Sequence, residues 1–240
     1  KAGAWTCVRD LVAYDDGTGT TLVRGGRIFL PLAKHETSTV TAWTSRGWRS
    51  LAGGLVYVGP SSRLPEVRSL AVVEELDPPR DSLFAGGFFT HSDSGAPVNN
   101  VARWDGKKWS GVGGGFPCPD GLPEFLCVER VLGLGVFERS GEEQLVAYGM
   151  FGHSFEAGAI LRGIARWDGA LWRPLSEGID PFGPVSVESF EGSRGGELWV
   201  SGVSRAGPLK GLQLLARWVP CGESCFADAN GDGMLDIEDF

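Results

Sequence analysis

The sequence predicts an all-β protein of about four repeated units, each of four short strands, followed by a short acidic module at the C-terminal end. Three observations predict it. The stretch Val101-Ala102-Arg103-Trp104-Asp105-Gly106-Lys107-Lys108-Trp109 returns as Ile164-Ala165-Arg166-Trp167-Asp168-Gly169-Ala170-Leu171-Trp172, and an internal repeat constrains a fold before any local signal does. Glycine supplies 37 of the 240 residues, which argues against long helices. Short apolar runs bounded by turn residues recur at regular spacing, as in all-β proteins.

Each unit opens with an apolar run: Val8 to Ala13, Val67 to Val73, Val128 to Leu134, and a weaker Val185 to Phe190. A polar turn follows, then a second run ending in glycine. These second runs are Thr21 to Gly26, Ser82 to Gly87, Leu145 to Gly149 and Leu198 to Gly202. After a loop comes the tryptophan motif, anchored at Trp43, Trp104, Trp167 and Trp218, with a second tryptophan at Trp48, Trp109 and Trp172. Behind it the chain repeats once more, as Leu51-Ala52-Gly53-Gly54-Leu55, Val112-Gly113-Gly114-Gly115-Phe116 and Leu175-Ser176-Glu177-Gly178-Ile179. In the last unit Trp218 runs into Val219-Pro220-Cys221, so its outer strand is expected to be missing or to come from the segment around Trp5.

Four residues separate Trp104 from Trp109, so a four-residue hairpin loop sets the two indoles opposite each other. Such an aromatic pair stabilises a hairpin by roughly 0.2 to 1 kcal/mol over alanines. Trp167 with Trp172 and Trp43 with Trp48 are expected to behave alike. That makes four strands per unit. Radial repetition of four-stranded units, a β-propeller, is one way for such sheets to protect their edges.

An apolar strand ending in Gly-Gly, a loop, a further strand and a tryptophan a few residues on resemble the kelch-type propeller repeat, whose period is about 50 residues. Gly25-Gly26 and Gly86-Gly87 match its double glycine, while the later units keep only Gly149 and Gly202. The resemblance covers roughly residues 5 to 219 and implies a kelch-like propeller over residues 1–220.

Charge marks off residues 221–240. The chain has 22 Lys and Arg against 30 Asp and Glu, and six of those carboxylates lie after Arg217 with no basic residue among them. There Asp228, Asn230, Asp232, Asp236 and Asp239 supply side-chain oxygens at loop positions 1, 3, 5, 9 and 12, with Gly233 at position 6 and the Met234 carbonyl at 7. Six oxygens at that spacing suit one Ca²⁺. The Asp-x-Asn-x-Asp-Gly opening and Asp239 at the last position resemble the first calcium repeat of a dockerin, a module of secreted bacterial proteins that docks onto cohesin domains. The resemblance implies a cohesin-like partner and a partial module, since one loop stands where a dockerin has two. Ile237 and Glu238 occupy places where small hydroxyl residues frequently stand in that family.

Cysteine usage suits export: Cys118 and Cys127 bracket one turn-rich loop and Cys221 and Cys225 another, each pair a candidate disulfide. Cys7 is expected to be a buried small residue. His35, His91 and His153 are scattered over the units, and the last two occupy matching, structural positions. No nucleophile elbow, phosphate loop or His-Glu-x-x-His is present. The only tandem basic pair is Lys107-Lys108, which argues against nucleic acid as a partner, and no apolar stretch approaches the ~18 residues of a membrane span. The expectation is an extracellular, noncatalytic propeller that binds or scaffolds a carbohydrate or protein ligand, with a calcium-stabilised tail. The alternative is a carbohydrate-active enzyme, marked by two carboxyl groups ~5 to 9.5 Å apart in one pocket.

Overall fold

In a computed structural model, the structure describes residues 6–29, 37–59, 63–76, 79–118, 130–139, 142–152, 161, 163–175, 184–192, 195–203 and 213–218. No helix occurs among them. Fifteen of the seventeen described strands form four antiparallel sheets in chain order, and the other two form a small sheet of their own. The first contains β1 (Cys7–Asp15), β2 (Thr20–Phe29), β3 (Thr37–Thr44) and β4 (Gly47–Ser50). A two-residue strand, β5 (Leu55–Val56), follows it. The second sheet contains β6 (Glu66–Leu76), β7 (Pro79–Phe88), β9 (Val101–Trp104) and β10 (Trp109–Gly111). Its loop strand β8 (His91–Ser92) pairs back with β5 and ties the second sheet to the first. The third contains β11 (Arg130–Arg139), β12 (Glu142–Met150), β13 (Ile164–Trp167) and β14 (Trp172–Pro174). The fourth has three described strands, β15 (Pro184–Gly192), β16 (Gly195–Val203) and β17 (Gln213–Trp218).

The tryptophan hairpins form as their spacing predicts. Trp43 pairs with Trp48, Trp104 with Trp109 and Trp167 with Trp172, with ring centroids 5.3, 5.3 and 5.4 Å apart. In the second and third units the loop aspartate caps the turn. Asp105 Oδ1 accepts the N–H groups of Lys107 and Lys108 at 2.9 and 2.8 Å, and Asp168 Oδ1 those of Ala170 and Leu171 at 3.0 and 2.7 Å. Gly106 and Gly169 then take φ of 92° and 93°, a left-handed conformation nearly free of cost only to glycine.

All four sheets carry a β-bulge at the same place between their first two strands, after Val8, Val67, Val131 and Pro184. These bulges explain the double glycine. A Cβ on Gly26 or Gly87 would run into the carbonyl oxygen of Cys7 or Glu66 across the bulge. The first glycine of each pair makes room for the next sheet: a Cβ on Gly25 would stand 2.5 Å from Val67 Cγ1, and one on Gly86 2.5 Å from Val131 Cγ1. In the third unit Tyr148 takes that first place, and Gly133, its cross-strand partner, leaves the space its ring occupies.

Three apolar clusters fill the spaces between consecutive sheets. Tyr14, Val23 and Val40 of the first sheet meet Val67, Leu70, Leu83, Trp104 and Trp109 of the second. Ala71, Phe84, Val101 and Phe116 meet Val131, Leu134, Leu145 and Trp172 of the third. Phe137, Val146 and Ile164 meet Val187, Leu198 and Val200 of the fourth. The second and third sheets are therefore apolar on both faces, because side chains alternate along a strand and each face meets a different neighbour. The described strands form no closed barrel or ring: the outer faces of the first and fourth sheets have no sheet against them. Cys7 is a free thiol and half-buried, where the sequence reading expected a buried residue, because it is the first residue of β1, the edge strand of the first sheet. Cys118 is disulfide-bonded. Cys127, Cys221 and Cys225 lie outside the described residues.

Candidate functional site

The calcium ligands expected from the sequence, Asp228, Asn230, Asp232, Met234, Asp236 and Asp239, all lie outside the described residues, as do His35 and His153. Among the described residues no group of three His, Cys, Asp or Glu is placed to hold a metal ion. His91 sits half-buried in β8 with Nδ1 2.9 Å from Thr90 Oγ1.

Two places gather chemistry. The first is the bulge end of the sheets. Arg9 and Arg68 are the bulge residues of the first two sheets, and both engage the buried carboxylate of Glu66, at 2.9 and 3.3 Å. Arg130, on the third sheet, points Nε and Nη2 at the sulfur of Met150, at 3.3 and 3.1 Å. Burial, then the charges of Arg68 and Arg63, lower its pKa, and Glu66 opposes them. Arg68 Nε is buried without an acceptor. Arg9, Arg68 and Arg130 thus stand at an end that holds the carboxylates of Glu66 and Asp10, a local excess of positive charge on a chain that is acidic overall. Asp10 closes the same end: its Oδ2 accepts the backbone N–H of Leu70 at 2.8 Å and the Ser69 hydroxyl at 3.2 Å. Burial, followed by the carboxylates of Glu188 and Asp10, pushes up the pKa of Tyr148.

The second place is the outer face of the fourth sheet, an open pocket of about 580 Å³ lined by Ser186, Glu188, Phe190, Glu197, Trp199 and Ser201. Glu188 lies opposite Trp199, and Phe190 opposite Glu197. The two carboxylates are therefore diagonal neighbours, a relation that sets side chains about 7 to 8 Å apart. Trp199 Nε1 donates to Glu197 Oε2 at 3.3 Å, and the Ser186 hydroxyl to Glu188 Oε1 at 3.3 Å.

Neither place stands out in the sequence. The signal for the first is an arginine at the same offset behind Val8 and Val67; for the second it is Ser186, Glu188 and Phe190 at alternate positions of a strand. Comparison with protein-family models, with curated proteins and with solved structures finds no match to this chain.

Proposed function

We propose that the chain is a secreted, noncatalytic β-propeller that binds or scaffolds an extracellular ligand, with a calcium-binding, dockerin-like tail at residues 221–240 that attaches it to a cohesin-like partner. The observation that carries the binding reading is the division of labour among residues. The tryptophan pairs and the first-strand valines are spent on packing one sheet against the next, whereas Arg9, Arg68, Arg130 and Glu66 gather at the bulge end, outside that packing. Radial blades are supported by the bulge common to all four sheets. Excess guanidinium suits the carboxylates or sulfates of an acidic glycan, which arginine meets with paired hydrogen bonds. The test is an array of acidic and neutral oligosaccharides probed with the full chain. Retention of acidic glycans, lost in Arg68→Ala/Arg130→Ala and without turnover, supports the reading; equal retention by that variant removes it.

The diagonal placement of Glu188 and Glu197 beside Trp199 favours a second reading, glycoside hydrolysis in the outer pocket of the fourth sheet. Hydrolysis of a neutral glycan that disappears in Glu188→Gln and Glu197→Gln would establish it.

A further inference from the structure

We infer that the outer face of the first sheet and the outer face of the fourth are the two halves of one interface, joined head to tail between two copies of this chain. The repeat register shows what the first face is built for. Val8 and Leu11 occupy the places of Val67 and Leu70 in the second sheet and of Val131 and Leu134 in the third. Val67 and Leu70 are 0% and 4% exposed because a preceding sheet covers them, whereas Val8 and Leu11 are 45% and 53% exposed. Leu22 likewise stands exposed where Leu83, Leu145 and Leu198 are buried, and Trp43 is 52% exposed where Trp104 is 6%. The first sheet thus presents the apolar set that later sheets bury against a predecessor.

The fourth sheet presents the other half. Its outward residues Phe190, Trp199 and Ser201 take the places of Val73, Phe84 and Gly86, which face the third sheet. Of the seven large hydrophobic side chains exposed among the described residues, five (Val8, Leu11, Leu22, Trp43 and Phe190) lie on these two faces. Apolar patches so concentrated mark interaction sites.

Charge decides what covers them. Arg24 stands on the first face where Ala85 and Ala147 stand in the next two sheets; it stacks 4.0 Å over Trp48 and donates to Thr41 Oγ1 at 2.9 Å. Glu188 and Glu197 stand on the fourth face where Ala71 and Ser82 stand in the second sheet. One face carries a cation and the other two anions at positions that interior interfaces leave uncharged. Opposite charges across an otherwise apolar contact fix register and partner. A second copy supplies both complements at once, so a pair related by a two-fold axis covers all four outer faces. Eight sheets in series stay within the four to eight blades that propellers typically have.

Light scattering on the full chain over a wide range of concentration tests this. The expected result is the mass of two chains, falling to one in Leu11→Lys, in Arg24→Glu and in Glu188→Lys/Glu197→Lys, each with an unchanged far-ultraviolet spectrum. Arg24→Glu alters only the first face and Glu188→Lys/Glu197→Lys only the fourth. An equimolar mixture of those two variants therefore pairs intact face with intact face, and the introduced carboxylate with the introduced ammonium groups. The mixture should return to the mass of two chains. A monomeric wild type overturns the inference. So does a mixture that stays monomeric, a dimer that Leu11→Lys leaves intact, or a monomer whose fourth-sheet pocket takes up an oligosaccharide.

Discussion

The indole Nε1 of Trp172 donates to the backbone carbonyl of Val112 in the preceding unit at 2.9 Å, and Trp109 does the same to Leu51 at 3.0 Å. Each acceptor lies three residues after the second tryptophan of its own unit, and each also accepts a turn N–H, from Gly115 and Gly54 respectively. The second tryptophan is therefore both a cross-strand partner within its sheet and a bolt into the sheet before it. Trp172→Phe keeps an aromatic ring but removes the N–H, so it should lose about 1 kcal/mol for the bond and somewhat more for the thinner ring. Urea unfolding of the two proteins measures this; an unchanged midpoint would show that the bond contributes nothing.

Gly86 fails as alanine for a reason that lies in another sheet. The added Cβ would stand 2.5 Å from Val131 Cγ1 and 3.0 Å from Leu134 Cγ. Overpacking of this kind costs about 1 to 3 kcal/mol. Val131→Ala opens a cavity by itself, yet it removes the obstructing methyl groups, so the double variant should be more stable than the sum of the two single losses predicts. A double-mutant cycle in urea reads the coupling, and strict additivity would refute the contact.

Tyr148 and Gly133 make the same argument in reverse. The ring of Tyr148 fills the space where a Cβ on Gly133 would sit. Gly133→Ala should therefore destabilise the wild type by about 1 to 3 kcal/mol and cost much less in a Tyr148→Gly background. Equal losses in both backgrounds would argue that Gly133 is needed for its backbone alone.

Much of this fold was legible because its signals are local. The tryptophan spacing fixes a hairpin register within nine residues, and the first and second runs of all four units fall inside the strands that form, save for the start of the third, whose strand is described only from Arg130. What sequence reasoning missed depends on pairs far apart in the chain. The double glycine is visible as a pattern, but its two glycines answer to different partners, a bulge carbonyl and the next sheet's valine. The replacement of the first of them by Tyr148 makes sense only beside Gly133, its partner across the strands. Leu55–Val56 and His91–Ser92 are too short to show a period, so their pairing was not anticipated. The bulge-end arginines escape notice because they are isolated in sequence, one per unit, and meet only when the sheets stack. The tail motif lies outside the described residues.

Asp168 should report the integrity of the third hairpin through its titration. The Arg173 guanidinium, 2.7 Å away, and the N–H of Leu171 lower its pKa to about 2. An unfolded aspartate titrates near ~3.9, so the folded group binds its proton less readily. The resulting stabilisation is fully present above pH ~4 and is lost as pH falls toward 2. Because the pair lies at the surface, it is worth no more than about 1 kcal/mol. Arg173→Ala should raise the Asp168 pKa in a carboxyl-carbon NMR titration, and an unmoved value would show that the backbone bonds alone hold it down.

The last expectation concerns calcium. Asp228, Asp232, Asp236, Glu238 and Asp239 crowd twelve residues without a basic residue among them, so their repulsion opposes any compact arrangement of the loop. Ca²⁺ is expected to reverse that balance by exchanging its water for six oxygens, those of Asp228, Asn230, Asp232, Asp236 and Asp239 and the Met234 carbonyl. Ordering of the loop is then linked to calcium concentration. Calorimetric titration of the full chain should show about one Ca²⁺ per chain. Asp228→Ala should abolish that heat, because position 1 anchors the loop, whereas Glu238→Ala, whose residue is not a ligand, should retain it. Retention of the chain on an immobilised cohesin domain should require calcium and fail in Asp228→Ala. Absence of calcium-dependent heat at roughly millimolar Ca²⁺, the weak end of the range for such loops, would remove the calcium assignment and the mode of attachment that rests on it.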